Sequence, residues 1–290
     1  MAYIRTLFRL ALCILPLSVC AGNAGNAGKC HRLYDKGQYR QAMTCYMQPD
    51  IISDPAIMNR IGIMYGYGQG VPPNPDETYK WFRRSADAGF APAQTNLGLM
   101  YAQGNGIPQD FTEAAHWFLL AAKQNDPDAE KIMAYYYVTG TGVPRDYREA
   151  MKWYRRAAGH GDTTAYADIG LLYDKGNGVA RDPNRAVQYY IMGAMAGDPH
   201  AQALLAVQYL TGEGITKDTR RAVRWFEKAA RNGYLPAIKK MVKIYTYGQP
   251  GYDRNPEKAE YWRNLYNRKL AEQRKTGSRV AEPPLPSSTD

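Results

Sequence analysis

The chain has 290 residues, and its Lys and Arg together exceed Asp and Glu by ten, for a pI near 9.3. That balance alone would admit nucleic acid or an anionic surface as partner. An export-type amino terminus argues against nucleic acid, and no stretch approaches the ~20 apolar residues of a transmembrane helix.

The chain opens MAYIRTLFRLALCILPLSVCAGNAG, where Arg5 and Arg9 precede an apolar run from Leu10 to Val19 and small residues follow. Residues 1–21 therefore read as a secretory signal peptide, and the mature protein is expected to be periplasmic or secreted. Leu17-Ser18-Val19-Cys20 also resembles a lipobox, although Val19 fits poorly where a small residue is usual. Acylation of Cys20 would make an outer-membrane lipoprotein, and it is the one membrane attachment the sequence offers.

Removing the signal leaves Cys30 and Cys45, which flank KCHRLYDKGQYRQAMTC with Gly37 near its midpoint. In a helical hairpin turning at Gly37, residues equidistant from the turn face each other, so the two thiols can meet. An even cysteine count in an exported chain supports a disulfide, with two buried free thiols as the alternative. Residues 29–50 are read as a capping hairpin in which the crosslink stands where later units place a large aromatic.

From residue 65 the sequence matches itself at an offset of 36: Tyr65, Tyr101, Tyr137, Tyr173, Tyr209 and Tyr245 each open a similar phrase. The phrases include YGYGQGVPPN, YAQGNGIPQD and YDKGNGVARD, and the first glycine keeps register in all six copies. Aromatics follow in register as Trp81, Trp117, Trp153, Tyr189 and Trp225, and Trp262 comes one residue late. A period of this size marks a solenoid, and it rules out a dedicated phosphate loop at Gly104-Asn105-Gly106, because the same loop is dealt out once per unit.

Within a unit, Ala93, Leu97, Met100 and Tyr101 recur at helical spacing, with Gly98 keeping one side of that helix thin. Gly104 then ends the helix, Asp110 caps the next, and Glu113 is placed to complete a capping box; Asp146 and Glu149 repeat the pair. The second helix carries Ala114, Trp117, Phe118, Ala121 and Ala122. The expected fold is all-α: a right-handed superhelical α-solenoid of helix-turn-helix repeats over residues 54–275, five regular and a sixth altered. Residues 276–290, TGSRVAEPPLPSSTD, lack apolar periodicity and read as a disordered tail.

The 36-residue period, Leu97-Gly98-x-Met100-Tyr101, the Gly104 to Asp110 loop, and the Ala114-x-x-Trp117-Phe118 helix together resemble the Sel-one-like repeat (SLR) family. This family is related to tetratricopeptide repeats but has a longer inter-helix loop. The resemblance covers roughly residues 54–265. It implies a superhelical scaffold that binds other proteins, with no shared catalytic residues to carry over. Exported bacterial members include envelope-assembly factors, periplasmic regulators, flagellar motor components, proteins engaging host cells, and immunity proteins that neutralise secreted lipase effectors.

The residues themselves also argue against an enzyme. His31, His116, His160 and His200 fall at unrelated repeat positions, no metal-ligand spacing occurs, and no serine sits in GxSxG or SxxK. The row Asp110, Asp146, Asp182 and Asp218 is explained by helix capping. No cofactor, metal or small-molecule substrate is expected.

In helical arrays the first helices line the concave surface. The columns read as exposed there supply the expected partner-binding residues: Ile63, Leu99, Tyr135, Leu171, Val207 and Lys243; Lys131 and Lys239; Tyr67 and Lys175. An apolar track with tyrosines and a lysine fringe suits a peptide, helix or loop with apolar anchors and acidic flanks. That partner would be an envelope component or a secreted effector. The alternative is that the apolar column packs against neighbouring first helices. Second-helix clusters, Lys80, Arg83 and Arg84, then Lys152, Arg155 and Arg156, then Arg220, Arg221, Arg224 and Lys228, read as a solvated outer face, with recruitment to anionic lipid or cell-wall polymer as the weaker alternative.

Overall fold

The computed structural model describes residues 24–275; the signal peptide and the tail read from the sequence lie outside the described residues. Fourteen α-helices and one isolated β-bridge make up the described part. The chain divides into two compact units that meet at residues 146 and 147, and within each unit consecutive helices pack against one another.

The amino-terminal unit holds α1 (Ala24–Asp35), α2 (Tyr39–Tyr46), α3 (Pro55–Tyr67), α4 (Pro75–Asp87), α5 (Ala91–Gln103), α6 (Phe111–Lys123) and α7 (Pro127–Thr139). The carboxy-terminal unit holds α8 (Tyr147–Gly159), α9 (Ala165–Lys175), α10 (Pro183–Met195), α11 (Pro199–Thr211), α12 (Thr219–Arg231), α13 (Leu235–Tyr247) and α14 (Pro256–Lys275).

The hairpin α1–α2 turns at Gly37 (φ +73°) and is closed by a disulfide between Cys30 and Cys45. Cys45 and Trp81 share one buried cluster with Tyr46, Ile57 and Ile61. Beside the crosslink the Tyr46 hydroxyl lies 2.7 Å from His31 Nδ1. Burial, then the Arg60 guanidinium, pushes the His31 ring below its ordinary 6.5, while Asp35 and Asp54 oppose them. A depressed histidine pKa means that the unfolded chain takes up the proton first. Stability from this site is therefore full above 6.5 and falls as pH drops from there towards the folded value. Amide protection factors in α1–α2, corrected for the pH dependence of intrinsic exchange, should fall on acidification through that window, and His31→Asn should flatten the response.

Each first helix ends on the expected glycine. Gly68, Gly104, Gly140, Gly176 and Gly212 are left-handed, with φ between 67° and 82°. The second glycine of the loop has a different task. A Cβ on Gly106 would meet Pro75 Cβ at 2.4 Å, and one on Gly142 would meet the Phe111 carbonyl oxygen at 2.0 Å. The loop of one repeat thus rests on the start of the preceding second helix, in contact too close for any side chain.

The capping differs from the expectation in one respect. Asp110 Oδ1 accepts from the amides of Thr112 and Glu113, as expected, but the Asp110 amide donates to the Tyr101 carbonyl at 3.0 Å and not to Glu113. The same bond joins Asn74 to Tyr65, Asp146 to Tyr137, Asp182 to Tyr173, Asp218 to Tyr209 and Asn255 to Tyr245. The loop folds back far enough to bring the cap beside the last turn of the first helix, which leaves the third-position glutamate no amide to satisfy. Glu77 and Glu149 instead pair with Lys80 and Lys152 one turn on.

Thin positions on the first helices receive the aromatic rings. A Cβ on Gly98 would stand 2.8 Å from the Phe118 ring, and one on Gly170 would stand 2.5 Å from the Tyr190 ring. The sixth loop is rebuilt: Gly248 has ψ 167°, and Gln249 bridges Tyr252.

Candidate interaction surface

First and second helices differ in how much of their surface is covered. In α5 ten of thirteen residues are buried, from Pro92 to Ala102, whereas α8 buries only Ala150, Met151, Trp153, Tyr154 and Ala157. A helix covered on nearly every side sits inside the stack. A first helix packs on its own second helix and on the one before it, so its free arc is narrow.

That arc corrects the expected site. Lys131 is only 5% exposed, and Asn59, Thr95, Ala167 and Ala203, in the same column, are buried with it. The reason is helix phase: that column is turned towards the next first helix, where Asn59 Oδ1 accepts from the Asn96 amide and Thr95 donates to Asp126. Ile63 (4%) and Leu99 (8%) are also largely covered, and Tyr135 and Leu171 are half-buried. Tyr67, Lys175, Val207 and Lys243 are exposed, and Lys239 is intermediate.

In the amino-terminal unit a pocket of about 200 Å³ opens between α3 and α5, with Ile63, Tyr67, Leu99 and Gln103 on its walls. Ile63 and Leu99 therefore form its floor despite their burial. Asn96 lines it too, and its amide donates to Asn59 Oδ1 at 2.9 Å, so the floor is uncharged.

In the carboxy-terminal unit a pocket of about 360 Å³ opens between α11 and α13, lined by His200, Val207, Leu210, Phe226, Tyr234 and Lys240. Here Lys240 Nζ lies 5.9 Å from the Phe226 ring centroid, and the His200 and Tyr234 rings are 5.8 Å apart. Burial, then Asp198, pushes the Tyr234 hydroxyl pKa up, so the ring stays neutral at the pocket edge. Val207 is among the residues expected from the sequence, whereas His200 and Lys240 are not. The available signal was helical: 200, 204 and 207 lie on one stripe, as do 236, 240 and 243.

The second-helix clusters are largely satisfied within their own helices. Arg84 lies over Trp81, Arg156 over Trp153 and Lys228 over Trp225, at 4.5–5.3 Å from the ring centroids. Arg83 pairs with Asp87, and Arg231 with Glu227. Among the described residues no group of three or more His, Cys, Asp or Glu side chains is placed to hold a metal, and no helix is long and apolar enough to cross a membrane.

The Sel1 repeat model matches residues 55–90, 91–126, 127–162, 163–198, 199–234 and 243–262. The chain belongs to the Sel1 repeat family. A Sel1 repeat protein from Oxalobacter formigenes is 49% identical, with a TM-score of 0.80 over 84% of this chain and 97% of that one. A protective antigen of uropathogenic Escherichia coli displaying an SLR fold is 27% identical, with a TM-score of 0.64 over 95% of this chain and 65% of that one. An immunity protein from Pseudomonas aeruginosa, 17% identical over 75% of this chain and 83% of its own, shares the fold at a TM-score of 0.51. No curated protein matches the chain. Sel1 repeat proteins are generally non-enzymatic and typically mediate protein–protein binding.

Proposed function

We propose that this Sel1 repeat protein is an exported scaffold that holds a partner protein against the open side of its first helices. The observation that carries the reading is the exposure there of large side chains, Tyr67 at 59%, Val207 at 42% and Tyr247 at 73%, the first two on the walls of pockets between first helices. Exposed aromatic and apolar groups beside pre-formed pockets are what an interface uses as anchors. The disulfide fits an oxidising compartment, in keeping with export.

Two partner classes follow. One is a component of the cell envelope that the scaffold joins to another; the other is a secreted effector that the protein neutralises as an immunity protein, a role borne by a protein of the same fold. Capture of partners from the envelope fraction, compared with capture of the product of a neighbouring toxin gene, separates the two.

Substituting Tyr67, Val207 and Tyr247 together by Ala should weaken partner capture at least tenfold, since anchor truncations cost about 1–2 kcal/mol or more each and 1.4 kcal/mol is a factor of ten. Far-UV circular dichroism and thermal midpoint should hold, because all three side chains are exposed. A variant that captures its partner as the parent does would place the interface elsewhere.

A further inference from the structure

The two pockets on the first-helix side differ in charge, and the difference specifies a partner. Neither α11 nor α13 contains an Asp or Glu between its ends, and the neighbouring carboxylate, Asp198, is held in the α11 cap by the His200 and Ala201 amides. The ionisable cations on the same helices are His200, Lys239, Lys240 and Lys243. Lys240 forms its wall contact with Phe226, and Lys243 is exposed one turn further along the stripe. On α14, by contrast, Arg263 pairs with Glu260 and Lys269 with Glu272 within the helix. On α13, Lys240 and Lys243 have no carboxylate on their own helix to pair with.

The floor beneath these cations is apolar. Phe226, 5% exposed, forms the base, Val207 and Leu210 form one wall, and Tyr234 closes one end. A volume of about 360 Å³ falls in the range of sites that enclose a compact ligand group. The pocket between α3 and α5, by contrast, is smaller, is lined by amides and the hydroxyls of Tyr67 and Thr78 alongside its apolar side chains, and has no cation on its wall.

We infer that the α11–α13 pocket is the anchor subsite for an acidic amphipathic segment of the partner protein. One bulky apolar side chain of that segment enters between Val207 and Phe226, and carboxylates about one helical turn away pair with Lys240 and Lys243. This rests on the scaffold reading above and adds the chemistry of the partner. Its physical basis is division of labour: the apolar anchor supplies affinity, and the lysine rim supplies orientation and rate of encounter, which salt should weaken.

The test is selection of a displayed library of helical peptides on the purified whole chain, followed by anisotropy titration of the winners. Selected peptides should carry Leu, Phe or Trp with Asp or Glu three or four positions away. Val207→Asp should lower their affinity at least tenfold, and so should Lys240→Glu with Lys243→Glu. Replacing the acids of a peptide by Lys should restore its binding to the double glutamate variant. Lys80→Glu, on a second helix of the amino-terminal unit, should change affinity less than twofold. Winners without acidic bias that are lost on Tyr67→Ala would overturn the subsite and leave the scaffold reading standing. Winners insensitive to every first-helix substitution would overturn both, and a selection that enriches nothing would overturn the subsite.

Discussion

Gly142→Ala is expected to cost about 2–5 kcal/mol of stability, more than an alanine at most turn glycines. Two effects add. The residue has φ +66°, a left-handed conformation that a Cβ penalises by about 1–2 kcal/mol. The added Cβ would also fall 2.0 Å from the Phe111 carbonyl oxygen, and overpacking typically costs about 1–3 kcal/mol. Because the neighbour is backbone, it cannot swing away as a side chain would. Gly89→Ala is the control: it too has positive φ, +86°, but nothing lies within 4 Å of its Cβ. Guanidinium unfolding of both variants separates conformational strain from inter-repeat contact. Equal losses would mean that the loop does not bear on the preceding repeat.

Removal of the disulfide should have the next largest effect. Cys30 and Cys45 are 15 residues apart, and closing a loop of that length is worth about 3 kcal/mol in the chain-entropy model. The effect should be local. Replacing both cysteines by Ser should speed amide exchange in α1–α2 by about two orders of magnitude, while α11–α13, in the other unit, should keep their protection. The buried cluster of Tyr46, Ile57 and Trp81 beside the bridge is where the loss should spread first. Unchanged exchange in the cap would show that this cluster holds the hairpin unaided.

Core positions were legible in the sequence because repetition averages them: the register of Tyr101, Gly104, Asp110 and Trp117 recurs, and each recurrence has a structural cause. Asn125 shows how far the logic extends, since it takes φ +65° where other repeats place glycine, and asparagine tolerates that region. The two tasks of the loop glycines were not legible. Gly104 ends a helix and Gly106 seats the loop on Pro75, but spacing alone assigns both to a turn.

The open face was harder to read for a reason of phase. First helices are covered on two sides, so an error of one residue in helical phase moves a column such as that of Lys131 from the open side into the stack. Exposure also depends on the neighbouring repeat: Leu99 is 8% exposed and Val207 42% at equivalent positions. Cation placement had the same limit. Arg84, Arg156 and Lys228 read as solvated charges in the sequence, yet each lies over a tryptophan three residues earlier.

Photocrosslinking in intact cells tests the central claim most directly. A photoreactive amino acid is placed singly at Tyr67, Val207 and Tyr247 on the first-helix side, and at Lys80 and Met192 on the exposed side of second helices. The scaffold account predicts one discrete adduct, shared by at least two first-helix positions and absent from both second-helix positions. Adducts confined to Lys80 or Met192 would contradict it.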